Sequence, residues 1–205
     1  MRTSQRYGLP LLAILSLLTV FSLSAWAQSK EVVASLQRLK GSVSVVQQTN
    51  GETAPGRDGL LLRGGDTVVT EAKSNATIRF RDGSEIRLFQ NTRFQLEESK
   101  ESAGGNRSFK HNLFLKLGSV WGNFVKQRQV AQIKTPTATI GIKGTTLRVG
   151  ERDGKARVAL TEGSIDVTND ARTVELVPGK RITPFGRNDD LATKIEDIPY
   201  KLDIT

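Results

Sequence analysis

The chain has 205 residues, 30 of them lysine or arginine and 21 acidic, for a net charge of +9, and its 37% of apolar residues suffices for one domain with its own core. It has no cysteine and one histidine, His111, which excludes disulfides, thiolate chemistry and a structural zinc site of the usual kind. Its 19 glycines and 6 scattered prolines suit many turns and short elements.

At the N-terminus, Arg2 and Arg6 precede a short apolar run from Leu9 to Leu23, and Ala25-Trp26-Ala27 offers small residues where a signal peptidase reads. Residues 1–27 are therefore expected to be a signal peptide cleaved between Ala27 and Gln28. The alternative is a retained anchor, because the run from Gly8 to Ala27 is just long enough to span a bilayer. Pro10, the serines and the cleavage site favour the signal peptide, which implies a periplasmic or secreted bacterial protein with no stable transmembrane helix after cleavage. Cleavage removes two arginines and no acid, so the net charge falls from +9 to +7. In an exported protein such a charge points to an anionic cell-wall or lipid component rather than to nucleic acid, unless it is simply a solvated surface.

From residue 28 onward the apolar pattern has a period of two and no useful helical stretch. Gln47 to Arg57 reads as a loop. In Ala76–Leu88, Ile78 and Phe80 alternate with arginines, then Asp82-Gly83-Ser84 turn, then Ile86 and Leu88 alternate with Glu85 and Arg87. A three-residue hairpin loop pairing Arg81 with Glu85 puts all four apolar residues on one face. Ser99 to Ser108 is the clearest loop, and the stretch after it is the most basic in the chain. Lys110, Lys116, Lys126, Arg128 and Lys134 are candidates for a face that meets an anionic partner. Trp121 and Phe124 lie among them, either as strand core or as the aromatic lining of that face.

Val158 and Leu160, then a turn at Thr161–Ser164, then Ile165 and Val167, read as a second hairpin pairing Leu160 with Ile165. Gly-Ser-Val at 41–43 recurs at 118–120 and as Gly-Ser-Ile at 163–165, with irregular spacing that argues against a strict solenoid. A polar tail begins at Arg187, where Leu191, Ile195, Ile198 and Leu202 suit either a short helix or a docked extended segment. The pattern predicts an all-β domain over residues 28–186, a sandwich or roll of many short strands, with a β-helix-like stack as the alternative.

Chemistry-bearing motifs are missing. There is no nucleophile elbow, metalloprotease helix or phosphate-binding loop, and the Asp-Gly turns lack the further ligands of a calcium loop. A lone His111 beside Lys110 reads as a surface residue. No enzyme, metal site or cofactor is expected. An acid–base pair drawn from distant strands is the remaining enzymatic route, toward polysaccharide or peptidoglycan.

The segment Lys134–Val149 is rich in Thr, Ile and Gly and has no proton-transfer group, so it reads as architecture. It also resembles the hallmark of the FecR domain family, Thr-Pro-[Thr/Ala]-Ala-x-x-Gly-[Ile/Val]-[Arg/Lys]-Gly-Thr. Here Thr135, Pro136, Ala138, Gly141, Gly144 and Thr145 fill its fixed positions. Flanking segments match in order from about Leu60 to Thr183. The resemblance implies an all-β domain on the outer side of the inner membrane; the best-known members are sensors of iron-uptake signalling with a cytoplasmic anti-sigma segment. Only about eight residues precede the apolar run here, so that segment is not expected. The resemblance brings no catalytic residues. The expected function is an exported binding module, or alternatively an envelope sensor, iron-linked or otherwise, working with a separate membrane partner.

Overall fold

Strands with one buried face need apolar residues at every second position, and short strands need a turn every few residues. The computed structural model describes residues 31–101, 109–126 and 131–199. The expected signal peptide, its expected cleavage site at Ala27 and Gln28, Arg128, residues 102–108 of the predicted loop and residues 200–205 of the tail lie outside the described residues.

Along the described chain run β1 (Val32–Lys40), β2 (Val43–Val46), β3 (Thr53–Pro55), β4 (Leu61–Arg63), β5 (Thr67–Thr70), β6 (Asn75–Phe80), β7 (Glu85–Leu88), β8 (Thr92–Glu101) and β9 (Phe109–Asn123). There follow β10 (Ala131–Lys134), β11 (Thr139–Ile142), β12 (Thr146–Arg152), β13 (Lys155–Glu162), β14 (Ile165–Thr168), β15 (Thr173–Leu176), β16 (Lys180–Phe185), a 3-10 turn at Leu191–Lys194, and β17 (Ile195–Asp197). The protein is all-β.

The strands form two hydrogen-bonded runs. The first has the order β4-β1-β6-β7-β9-β12-β13-β16-β17. The second has the order β3-β2-β5-β8-β9-β10-β11-β14-β15, antiparallel except for β9 beside β10. β9 belongs to both: residues up to Leu117 pair with β8, and Gly118 onward pairs with β7 and β12. Inward side chains of both sheets, such as Leu36, Ile78 and Val149 on one and Phe94, Leu113 and Ile140 on the other, are at most 1% exposed and form one core cluster. Each such burial contributes about 1.5–3 kcal/mol.

The repeated Gly-Ser-Val signal marks the corners where the chain leaves one sheet for the other. Gly118 has φ +101, and a Cβ there would overlap Thr92, whose hydroxyl accepts the Ser119 N–H at 3.1 Å. Gly41 repeats the device against Ser74, whose hydroxyl accepts the Ser42 N–H at 2.8 Å, and Gly163 presses on Thr145. Only glycine combines that φ with that approach.

Three sequence expectations change in detail. The β6–β7 hairpin pairs Ile78 with Ile86 and Arg79 with Glu85, a register two residues from the expected one. An even slip keeps the same faces, so Ile78, Phe80, Ile86 and Leu88 all stay buried, and the ion pair is Arg79–Glu85 at 3.1 Å. The cause is the Asp82 carboxylate, which accepts the Ser84 N–H at 2.9 Å and closes the loop early. β13 and β14 do not form a hairpin, because Gly163, at φ +86, sends the chain to the other sheet. The loop expected at Gln47 to Arg57 contains β3, paired with β2. The tail adds both of its anticipated forms, since Leu191 is fully buried and β17 pairs with β16.

Candidate functional site

The Thr135–Thr145 segment is built as a hairpin and a corner. Thr135 Oγ1 accepts the N–H groups of Thr137 and Ala138 at 3.1 and 3.0 Å, and Thr135 N–H donates to the Ala138 carbonyl at 2.8 Å. Pro136, whose fixed φ suits this turn, stands exposed. The turn joins β10 to β11, where Gly141 lies opposite Gln132 on one side and Asp166 on the other. Gly144 follows at φ +73, and a Cβ there would come within 2.6 Å of Lys126 Cα. Thr145 is buried, and its carbonyl accepts the Phe124 N–H at 2.9 Å. The segment thus joins β10, β11, the end of β9 and the Gly163 corner.

His111 is not the surface residue its polar neighbours imply. It is 1% exposed, its Nε2 lies 2.9 Å from Asp82 Oδ2, and its ring is 4.5 Å from that of Phe80. Period two explains this: Lys110 and Asn112 point outward, so His111 points in. Asp82 Oδ2 also accepts from Ser84 Oγ at 3.0 Å, and Ser84 Oγ accepts the Val125 N–H at 3.1 Å. Burial alone would raise the Asp82 pKa. The hydrogen bonds from His111 and Ser84, with the charge of His111, outweigh that and hold it below the usual carboxylate value. The Ser84 hydroxyl and the His111 imidazole both face the Asp82 carboxylate. The trio joins the β6–β7 turn to β9.

The predicted basic residues separate. Lys110 and Lys116 are exposed on the second-sheet half of β9, and Lys134 on β10 pairs with Glu97 at 3.5 Å. Lys126 follows the other end of β9, beside Gly144. Of the two aromatics, Phe124 is core at 4% exposure. Trp121 is half-buried on the outer face, opposite Arg87 on β7 and Arg148 on β12.

A different basic site emerges from the register of β9, β12, β13 and β16. Leu147, Val149 and Val158 point into the core, so Arg148, Gly150 and Arg157 point out. Gly150 lies opposite Ser119 on one side and Arg157 on the other, while Ala159 lies opposite both Arg148 and Arg181. Small residues therefore floor a depression with arginines around it. At the usual strand spacing, Arg148 and Arg181 are rooted ~10 Å apart. The resulting groove has a volume of about 670 Å³, and Phe89, Pro184 and Ile198 supply apolar wall. The Arg148 guanidinium sits 4.5 Å over the Phe89 ring, and its Nε is 3.4 Å from Ser119 Oγ. The Arg157 stem crosses Gly150, where a Cβ would meet its Cγ at 2.9 Å. Arg181 is paired with Glu196, Nε to Oε1 at 2.6 Å. Arg148, Arg152 and Arg157 have no acidic partner among the described residues. Glu151, on the same strand, is 3% exposed, and its Oε2 has no hydrogen-bond partner among the described residues.

This site was missed because its arginines come from three strands, and local charge along β12 and β13 is diluted by Glu151, Asp153 and Glu162. The available signal was the alternation Arg148-x-Gly150-x-Arg152, which places charge and a gap on one strand face. No group of three or more His, Cys, Asp or Glu side chains able to hold a metal occurs among the described residues.

Residues 66–166 match the family model described as FecR protein. The chain carries a FecR-family domain. The match runs from the turn before β5 into β14 and includes the hallmark segment and the Arg148–Arg157 side of the groove; Arg181 and Ile198 lie beyond it. Two crystal structures of a candidate anti-sigma factor from Parabacteroides distasonis ATCC 8503 are similar, at 14% and 13% identity and TM-scores of 0.49 and 0.48. Each alignment covers 61% of this chain and 60% of the other, so the chain spans about 60% of the length of the structures it matches. No curated protein matches the chain. Among the described residues, no helix is long and apolar enough to cross a membrane.

Proposed function

We propose that this FecR-family domain is an exported, non-enzymatic interaction module that holds an anionic partner in the bacterial envelope. The observation that carries the reading is the groove over Gly150 and Ala159, where Arg148 and Arg157, without ion-pair partners among the described residues, stand beside small residues and Arg181 is held by Glu196. Guanidinium groups without an internal counter-charge are predisposed to bind an external oxyanion, bidentately where geometry allows. The N-terminal leader supports a periplasmic or secreted location, and that location favours a protein or cell-wall partner over nucleic acid.

Family membership favours a second reading within this one, an envelope signalling subunit whose membrane partner is a separate chain. The test is a pull-down from intact envelopes with the chain from Gln28 onward and a reversible cross-linker. Recovery of a specific membrane regulator or transporter supports the signalling form, and recovery of cell-wall or lipid material alone supports an envelope-structural form. If nothing is enriched over an unrelated basic protein, the interaction reading is wrong.

A further inference from the structure

We propose that the groove takes an acidic, partly apolar peptide segment of a partner protein. This deepens the interaction-module reading and rests on it. Three features define the occupant. The exposed charge is mainly positive: Arg148 and Arg157 face the depression without ion-pair partners among the described residues, Arg181 is already held by Glu196, and the lining's one carboxylate, Glu151, is 3% exposed. The walls are mixed, with Phe89, Pro184 and Ile198 offering apolar surface beside the guanidiniums. The shape is concave, and a volume of about 670 Å³ admits a few residues of extended chain, whereas a flat bilayer cannot enter it. An extended peptide with alternating acidic and apolar side chains presents both chemistries at the right period.

The arginines are also pre-positioned. The Phe89 ring holds the Arg148 guanidinium from below, and the stem of Arg157 lies in the space that Gly150 leaves open. Fixing the donors before binding lowers the entropy lost on complex formation. Arg148 and Arg157 are therefore the specificity-determining residues, and Gly150 keeps the groove open.

The test uses the chain from Gln28 onward and a fluorescein-labelled peptide of alternating Glu and Leu, read by fluorescence anisotropy. Saturable binding is expected, with a loss of at least about tenfold in affinity for Arg157→Glu and for Arg148→Glu. Lys116→Glu, an equal charge change on the other sheet, should leave the affinity within about twofold. Arg148→Gln and Arg157→Gln, which remove charge without reversing it, guard against misfolding, with circular dichroism as the check. Polygalacturonate and phosphatidylglycerol vesicles should compete weakly. Equal losses for Lys116→Glu and Arg157→Glu, stronger binding of the polyuronate or the vesicles, or no peptide binding at all would each overturn the inference. If the peptide fails while the wild-type chain still enriches a specific envelope partner, only the groove inference falls. If neither binds, the interaction reading falls with it.

Discussion

Replacing Gly144 tests whether the family's hallmark segment is a structural corner. The residue has φ +73, a region that costs a side-chain-bearing residue about 1–2 kcal/mol. A Cβ would also lie 2.6 Å from both Cα and Cβ of Lys126. Those atoms are close to backbone and cannot rotate away, so the end of β9 must shift, at about 1–3 kcal/mol more. Gly144→Ala should therefore cost roughly 2–5 kcal/mol, which for a chain of this size is a fall in Tm of roughly 4–20 °C. Gly144→Val should cost more, because branching at Cβ narrows its choices further. Gly154 is the control: it has φ +69 but open space around it, so Gly154→Ala should show the conformational cost alone, about 1–2 kcal/mol. Differential scanning calorimetry reads both. A Gly144→Val protein that melts with the wild type, or a Gly144→Ala protein no less stable than Gly154→Ala, would refute the corner.

Other predictions follow from the same geometry. Asp82→Ala leaves His111 buried without its carboxylate and should destabilise by about 3–5 kcal/mol in urea unfolding; a change under about 1 kcal/mol would mean the pair contributes little. The Asp82 pKa is lowered in the folded state, so its contribution is fully present above the unfolded-state carboxylate value near ~3.9 and is lost as pH falls through the lower folded value. Stability measured down through that window should decline less in Asp82→Asn than in the wild type. Thr135→Val removes the acceptor of two buried N–H groups and should cost about 1–3 kcal/mol, whereas Thr135→Ser should restore most of it. Glu at both Lys126 and Arg128 should weaken binding to anionic envelope components less than Glu at Arg157, measured by co-sedimentation; the reverse order would return the basic face to the end of β9.

The all-β class was legible because period-two alternation dominates from Val43 to Ile182, and the Gly-Ser-Val repeats fall where the glycine takes a positive φ. What they did not reveal is that each corner changes sheets, since a Gly-led turn looks the same in a hairpin and in a crossing. That is why β13 and β14, continuous in pattern, proved to be in different sheets. The Asp82 register slip depended on one side-chain hydrogen bond that competes with the expected turn. His111 was misread because its neighbours are polar, while strand period and not neighbour polarity decides which way a side chain points. The groove was least visible, because Arg148, Ala159 and Arg181 become neighbours only through the β12–β13–β16 ladder.

The most direct test of the account is a cross-linked pull-down from intact envelopes, run in parallel with the wild-type chain from Gln28 and with an Arg148→Glu, Arg157→Glu double variant of verified fold. The account predicts one enriched partner protein with the wild type, cross-linked through an acidic segment, and its loss with the variant. Capture of the same partner by both proteins would show that recognition lies elsewhere on the domain.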